Sequence, residues 1–368
     1  MPNGNGTAGG RTIRSAYMEW VKTQTHAGFN LANSGVKNYP LSGLPVNFEA
    51  LSLSGPGAYG YAPLVSAIAA KCGVPAECVA TAQGTSMANY LAMAGTLDPG
   101  DQVLIERPAY PLLWETAEYL GAEVRFFERR PDAGFAMDVD ALDKAVTRAT
   151  RLIVFTNLHN PSCAFTDEAT LKRIGALAQS VGARVLVDEV YLDLLFERTP
   201  QTAAALGPEF VVTNSLTKVY GLSGLRCGWI LGESNLIRKI YRVNDLLGVN
   251  NPYVTDQISC VALENLERIA QWSRDLLDRN RALANEFLAA TPELDCEPLQ
   301  TGTVLFPRLD SPVDEFCRLL RERYDTVVTP GCFFGAPDRV RIGIGGDTNL
   351  LAAGLDRIHD ALREMSGR

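Results

Sequence analysis

The sequence predicts an α/β protein in which a large domain, built on a mostly parallel seven-stranded sheet, is joined to a small α+β domain. Three observations carry that reading. Seven short apolar runs alternate with amphipathic helical patterns between residues 79 and 231, and strands alternating with helices imply parallel pairing through crossover connections. Runs such as Leu152-Ile153-Val154-Phe155 are apolar without a break, which suits strands covered on both faces. After Asn251-Pro252 the pattern changes to a long helical stretch and then a mixed tail.

In chain order, residues 1–50 are punctuated by Gly, Asn and Pro, with one helical stretch near 17–23. Strands are expected at 79–82, 102–106, 123–128, 152–156, 184–188, 210–213 and 228–231. Helical patterns fill 86–95, 111–120, 139–149 and 167–181. One long helix is expected over about 255–290, followed by strands near 303–307 and 340–344. The expected division is an N-terminal segment, 1–50, contributing to the small domain, a large domain over 51–275, and the rest of the small domain over 276–368.

The chain has 368 residues, of which 46% are hydrophobic and 21% charged, enough to build a core without disulfide or metal staples. No stretch approaches the ~20 apolar residues that a bilayer span requires. The opening MPNGNGTAGGRTIRS has no apolar core, so no secretory signal is expected. The net charge is -8, and the densest basic pair, Arg129-Arg130, is soon followed by Asp132. Nucleic acid is therefore not an expected partner. The eight cysteines never form a C-x-x-C pair, and the three histidines (26, 159, 359) are widely spread. A zinc cluster has nothing to build on, and the thiols read as reduced, structural groups of a cytoplasmic protein.

Two motifs fail on context. Gly55-Pro56-Gly57-Ala58-Tyr59-Gly60 spells G-x-G-x-x-G, but residues 48–54 make a poor central strand and Pro63 interrupts the segment after it. A turn-rich loop is the better account. Arg184-Val185-Leu186-Val187-Asp188-Glu189 ends a strand in two acids, yet no G-x-x-x-x-G-K-[ST] loop accompanies it.

The surviving candidates gather at the C-terminal ends of the expected strands, where open α/β sheets place ligands. Gly84-Thr85-Ser86 opens a helix whose free N–H groups suit a phosphate. Asn160 follows a strand and precedes Pro161, and Asp188 and Tyr191 follow the 184–187 run. A carboxylate at a buried strand end needs a cationic partner. The segment Ser215-Leu216-Thr217-Lys218-Val219-Tyr220-Gly221-Leu222-Ser223-Gly224-Leu225-Arg226-Cys227-Gly228 joins an amine, a hydroxyl and an arginine. That is equipment for a Schiff base and a phosphate clamp. Val340-Arg341-Ile342-Gly343-Ile344 reads as a strand with one lone charge. An inward guanidinium there needs an anion, either a substrate carboxylate or a structural partner such as Asp338 or Asp347.

The 215–228 segment resembles the lysine signature of the fold type I pyridoxal-phosphate enzymes, the aspartate aminotransferase superfamily (class I/II). Tyr59-Gly60, Gly84-Thr85-Ser86, Arg107-Pro108-Ala109-Tyr110-Pro111, Asn157-Leu158-His159-Asn160-Pro161, Asp188-Glu189-Val190-Tyr191 and Val340-Arg341-Ile342 extend the resemblance in order over most of the chain. It implies that Lys218 forms the internal aldimine with pyridoxal 5'-phosphate and carries the Cα proton. Asp188 would pair with the pyridine nitrogen, Tyr191 and Asn160 would bond the ring oxygen, and Tyr110 would stack on the ring. Gly84, Thr85, Ser86, Ser215 and Arg226 would form the phosphate site, Arg341 would grip the substrate carboxylate, and Asn160 would also contact the substrate. Tyr59, with Tyr61 as competitor, would reach the phosphate across a homodimer interface. Two departures bear on substrate preference: Ser162-Cys163-Ala164-Phe165 follows Asn160-Pro161 where the family commonly continues with Thr-Gly or Ser-Gly, and the segment between Tyr59 and Leu64 is shorter than usual.

The implied function is amino transfer from an L-amino acid to a 2-oxo acid. The alternative is another pyridoxal-phosphate reaction on the same fold, β-elimination of a sulfur amino acid or a cyclisation. A ligand-sensing regulator is disfavoured, because the ~50 residues before Leu51 are too few and too weakly basic for a DNA-binding domain.

Overall fold

The structure is a computed structural model describing residues 13–56 and 58–367. Residues 1–12, most of the opening segment, lie outside the described residues, as do Gly57 of the G-x-G-x-x-G string and residue 368.

The central sheet holds β1 (Val79–Gln83), β2 (Gln102–Arg107), β3 (Glu123–Glu128), β4 (Thr150–Thr156), β5 (Arg184–Asp188), β6 (Phe210–Ser215) and β7 (Cys227–Leu231). Every strand expected from sequence in this region is present, with ends moved by two residues at most. The spatial order is β1-β7-β6-β5-β4-β2-β3. All neighbouring pairs from β6 through β3 are parallel, and β7 alone runs antiparallel, to both β6 and β1.

Eleven helices are present among the described residues: α1 (Ala16–Thr23), α2 (Ala62–Cys72), α3 (Gly84–Thr96), α4 (Pro111–Tyr119), α5 (Val139–Ala145), α6 (Glu168–Val181), α7 (Ser234–Asp245), α8 (Tyr253–Glu264), α9 (Leu266–Ala290), α10 (Val313–Tyr324) and α11 (Thr348–Met365). None of them is long and apolar enough to cross a membrane. Successive strand side chains point to opposite faces. Ile153 and Phe155 therefore join the cluster under α2, α6, α8 and α9, while Leu152 and Val154 join the one under α3, α4 and α7. The unbroken apolar runs follow from that double cover.

Three local expectations change. Pro63 does not interrupt structure: it sits in the first turn of α2, where a missing N–H leaves no bond unmade. The stretch at 255–290 is two helices, parted at Asn265, whose side chain donates to the Val261 carbonyl at 2.8 Å. An amide that bonds nearby backbone competes with the helix itself. The unforeseen α7 carries its buried Leu236, Ile237 and Ile240 on one face of an otherwise polar segment.

Beyond α9, β8 (Val304–Leu305), β9 (Thr329–Pro330) and β10 (Val340–Gly343) form an antiparallel sheet in the order β8-β10-β9. It packs with α10 and α11 around a separate apolar cluster that includes Leu31. The N-terminal strand Phe29–Asn30 pairs with Thr326–Val327, and the chain after it runs as a strap toward the central sheet. Its Leu31 carbonyl accepts from the Gly343 N–H at 2.6 Å, and its Val36 N–H donates to the Lys218 carbonyl at 2.9 Å.

Gly228 shows how tightly this corner closes. A Cβ there would lie 2.5 Å from the Gly84 carbonyl carbon, a backbone atom that cannot rotate aside. Gly228→Ala should therefore lose about 1–3 kcal/mol in denaturant unfolding. Gly224→Ala, with nothing within 4 Å of its added carbon, should stay within about 0.5 kcal/mol of wild type. Equal stability of the two variants would contradict this packing.

Candidate active site

The C-terminal ends of β4, β5 and β6 meet the start of α3, the strap, α1 and β10 around one cavity of about 360 Å³. Each end of it has a distinct chemistry.

At the base lies Asp188, the last residue of β5, 3% exposed. Its Oδ2 accepts from Asn89 Nδ2 at 2.9 Å and its Oδ1 from the Val190 N–H at 3.0 Å. Asn89 is in turn fixed by Thr213. Burial pushes the Asp188 carboxyl up to about 6, opposed in part by these bonds and by Lys218. Lys218 Nζ donates to Ser34 Oγ at 3.1 Å. Desolvation, reinforced by repulsion from Arg341 and Arg226, brings its amine down to about 8. Tyr191 donates to the same Ser34 oxygen at 2.8 Å, and burial raises its phenol above the usual range.

On one side is an anion cradle. No side chain caps α3, so its first N–H groups remain available at the positive end of the helix dipole. Thr85 Oγ1 donates to Ser215 Oγ at 2.8 Å, and Thr217 Oγ1 is buried with no partner. Arg226 lies directly over Gly84, whose φ is +76: a Cβ there would fall 2.3 Å from Arg226 Nη2. Amides, hydroxyls and a guanidinium converging on one point are suited to a phosphate.

On the other side is Arg341, 1% exposed on β10. Its Nη1 donates to Asn160 Oδ1 and its Nη2 to the Tyr17 hydroxyl and the Ala32 carbonyl, each at 3.1 Å. The guanidinium stacks on Phe334 at 4.7 Å, and Nε is buried without a partner. Of the two acids considered from sequence, Asp347 pairs with Lys37 at 3.0 Å, and neither acid forms an ion pair with Arg341. A buried cation without a carboxylate is costly until an anion arrives. Asn160 is held from behind: its N–H donates to Thr156 Oγ1 at 2.8 Å, and Thr156 donates to the buried Glu106 at 2.7 Å.

Thus Lys218, Asp188, Tyr191, Thr85, Ser86, Tyr110, Asn160, Arg226 and Arg341 all line one cavity, with Gly84 and Ser215 just behind its wall. Tyr59 does not line it. Tyr59 is exposed, bonded to Asp245 at 3.1 Å, while Tyr61 packs edge-on against Tyr253. Sequence reasoning missed Ser34, Tyr17, Asn89 and Thr217. Asn89 had a usable signal, as an amide among the apolar residues of α3 beside the Gly84-Thr85-Ser86 motif. Ser34 and Tyr17 had none.

Residues 53–358 match the family model described as aminotransferase class I and II. The chain is 30% identical to the capreomycidine synthase of Streptomyces vinaceus, over 96% of this chain and 95% of that protein. It is 26% identical to an aspartate aminotransferase of Streptomyces avermitilis, over 90% and 88%. Among solved structures, a PLP-dependent aminotransferase from Streptococcus suis superposes with a TM-score of 0.88 at 24% identity, covering 94% of this chain and 96% of that one. The PLP-dependent cyclase OrfR superposes with a TM-score of 0.86 at 23% identity, covering 96% and 100%. The chain belongs to the class I and II aminotransferase family. It is accordingly a pyridoxal 5'-phosphate enzyme, and its own donors fit that group: the α3 cradle and unpartnered Thr217 for a phosphate, the buried Asp188 for a ring cation, and the Lys218 amine in the same cavity.

The lowered proton affinity of Lys218 is directly measurable. In the cofactor-free protein, acylation of Lys218 followed by mass spectrometry should rise with pH to a half-maximum near 8, because only the neutral amine reacts. A half-maximum near 10.5, the ordinary lysine value, would contradict this burial and charge repulsion.

Proposed function

We propose that the protein moves an amino group from an L-amino acid to a 2-oxo acid, acting as a cytoplasmic homodimer. The observation that carries this reading is that one cavity holds both a buried guanidinium lacking a carboxylate and a lysine amine brought down to about 8. Arg341 pairs with the substrate α-carboxylate, for which a guanidinium is suited. That fixes the substrate's Cα–H over Lys218, whose neutral amine takes the proton and carries it within the cavity. Bound pyridoxal phosphate supplies the electron sink for the pair left behind. Asp188 would meet the ring nitrogen as a carboxylate, since a cation opposite it reverses the effect of burial. Tyr191 and Asn160 would hold the ring oxygen and Tyr110 the ring face. Thr85, Ser86, Ser215 and Arg226 would hold the phosphate, and Gly84 leaves room for the guanidinium over the backbone.

A homodimer is supported by the apolar surface where Ser52 and Tyr59 meet Gln257 and Asp245. Leu53 and Leu246 are 89% and 85% exposed there, beside Tyr59, Leu247 and Val249. Such a patch favours a protein partner, and it would carry Tyr59 toward the partner's phosphate. The eight free thiols support a reducing compartment. The proposed division into 1–50, 51–275 and 276–368 is supported in part by the apolar clusters: Leu31 joins the small-domain cluster and Ala284 begins its C-terminal part, whereas Val36, Leu44, Leu276 and Leu277 pack in the large-domain cluster.

A second reading, cyclisation of an amino acid, is favoured by one observation. The relative aligned over 96% of the chain is named a capreomycidine synthase, and a solved cyclase covers 96%. A half-reaction without acceptor separates the two. Amino transfer should leave pyridoxamine phosphate and a 2-oxo acid, read by mass spectrometry, whereas a ring-closed product with the aldehyde form regenerated would establish the second reading. In either case Arg341→Ala should lower kcat/KM for amino acids by roughly 30- to 5,000-fold, since truncating a desolvated charge pair costs about 2–5 kcal/mol. Amines lacking the carboxylate should be far less affected. Unchanged kinetics with a lower Tm would make Arg341 structural.

A further inference from the structure

Ser34 is the residue on which the lysine and the tyrosine of this cavity converge. It is 5% exposed, lies in the cavity wall, and its Oγ accepts from both Lys218 Nζ at 3.1 Å and Tyr191 at 2.8 Å. A hydroxyl oxygen has two lone pairs, so these two donors fill its acceptor capacity. Ser34 is itself immobilised. Its carbonyl accepts from Thr303 Oγ1 at 2.7 Å, and two residues later the Val36 N–H donates to the Lys218 carbonyl. The strap is thus tied to the backbone of the lysine whose amine it also holds. Two residues earlier, the Ala32 carbonyl accepts from Arg341 at 3.1 Å.

We propose that Ser34 is a positioning residue that aims the Lys218 amine at the substrate and competes for the Tyr191 phenol. This rests on the pyridoxal-phosphate reading of the site. A neutral amine has two N–H bonds and one lone pair. With one N–H held by Ser34, rotation about the terminal C–N bond is restricted, and the lone pair is left the two staggered positions that point away from Ser34. In the proton-transfer step the Cα–H bond breaks, the N–H bond forms on Nζ, and the electron pair stays with the substrate and cofactor. Ser34 takes no proton and sets only the direction of attack. The Tyr191 hydrogen has two alternative acceptors once cofactor is bound, Ser34 or the ring oxygen. The charged and titratable groups facing this amine are Asp188 from β5, Tyr191 beyond it, Arg226 before β7 and Arg341 from β10.

The test is Ser34→Ala, which keeps the carbonyl bonded to Thr303, with Ser34→Thr as rescue. Two readouts are taken on cofactor-loaded protein. Without Ser34 the Tyr191 hydrogen is free for the ring oxygen and stabilises its ionised form. The midpoint of the pH titration of the bound cofactor's visible absorption should therefore fall by about 0.5–1 pH unit. A misdirected amine should lower kcat about 10- to 100-fold with KM changed less than about 2-fold, and raise the isotope effect with Cα-deuterated donor. Ser34→Thr should restore both. An Ala variant matching wild type in titration and kcat overturns the inference, as does a loss of Tm and cofactor affinity that Thr does not rescue. Wild-type protein lacking a lysine-linked absorption overturns the underlying reading, and this inference with it.

Discussion

Arg341 is a guanidinium sealed inside the protein without a carboxylate of its own, and the arrangement of the cavity stems from that. An unpaired buried charge is tolerated only where neutral groups orient it and something outside the chain completes it. Asn160, Tyr17, the Ala32 carbonyl and the Phe334 ring do the orienting. These come from four separate stretches of chain, so the guanidinium also fastens the N-terminal strap and α1 to the C-terminal sheet. The same charge reaches across to Lys218 and disfavours its protonation.

That coupling gives the site a useful order of events. While Arg341 lacks an anion, burial of the amine and repulsion from Arg341 bring Lys218 down to about 8, so that a substantial fraction is unprotonated in mildly alkaline solution. On the proposed role of Arg341, a bound carboxylate would cancel part of the repulsion and make the amine a stronger base once substrate is in position. Asp188 works in the opposite sense: buried and raised toward 6, it ionises fully when a cation faces it. Arg341 and Asp188 each lack an opposite charge within the chain, and on the proposed function a substrate carboxylate and a ring cation would supply them.

The sheet was legible because its information is local. Strand runs covered on both faces are continuous, and helices between them carry 3.6-residue spacing, so strand positions emerge within two residues. The lysine signature, Gly84-Thr85-Ser86 and Asp188 were legible because each sits where a strand ends. Contacts made by distant segments were not. Ser34 and Lys218 are 184 residues apart and Asn160 and Arg341 181 apart, with no spacing to announce them. The break at Asn265 turned on one side-chain bond to a nearby carbonyl, invisible to periodicity. Cys163 is instructive in another way. It stands where the family pattern usually has glycine, and its φ is +64, the left-handed region that explains why glycine is usual there. The departure seen in sequence is thus absorbed locally, beside the loop that carries Asn160.

The chemistry of this cavity depends on Lys218 being its nucleophilic amine, and borohydride reduction of the cofactor-loaded protein measures that directly. Reduction should abolish the visible absorption and leave one cofactor mass on the peptide containing Lys218, and Lys218→Ala should incorporate none. A label recovered on any other lysine, or a visible band that reduction leaves unattached to the chain, would contradict it.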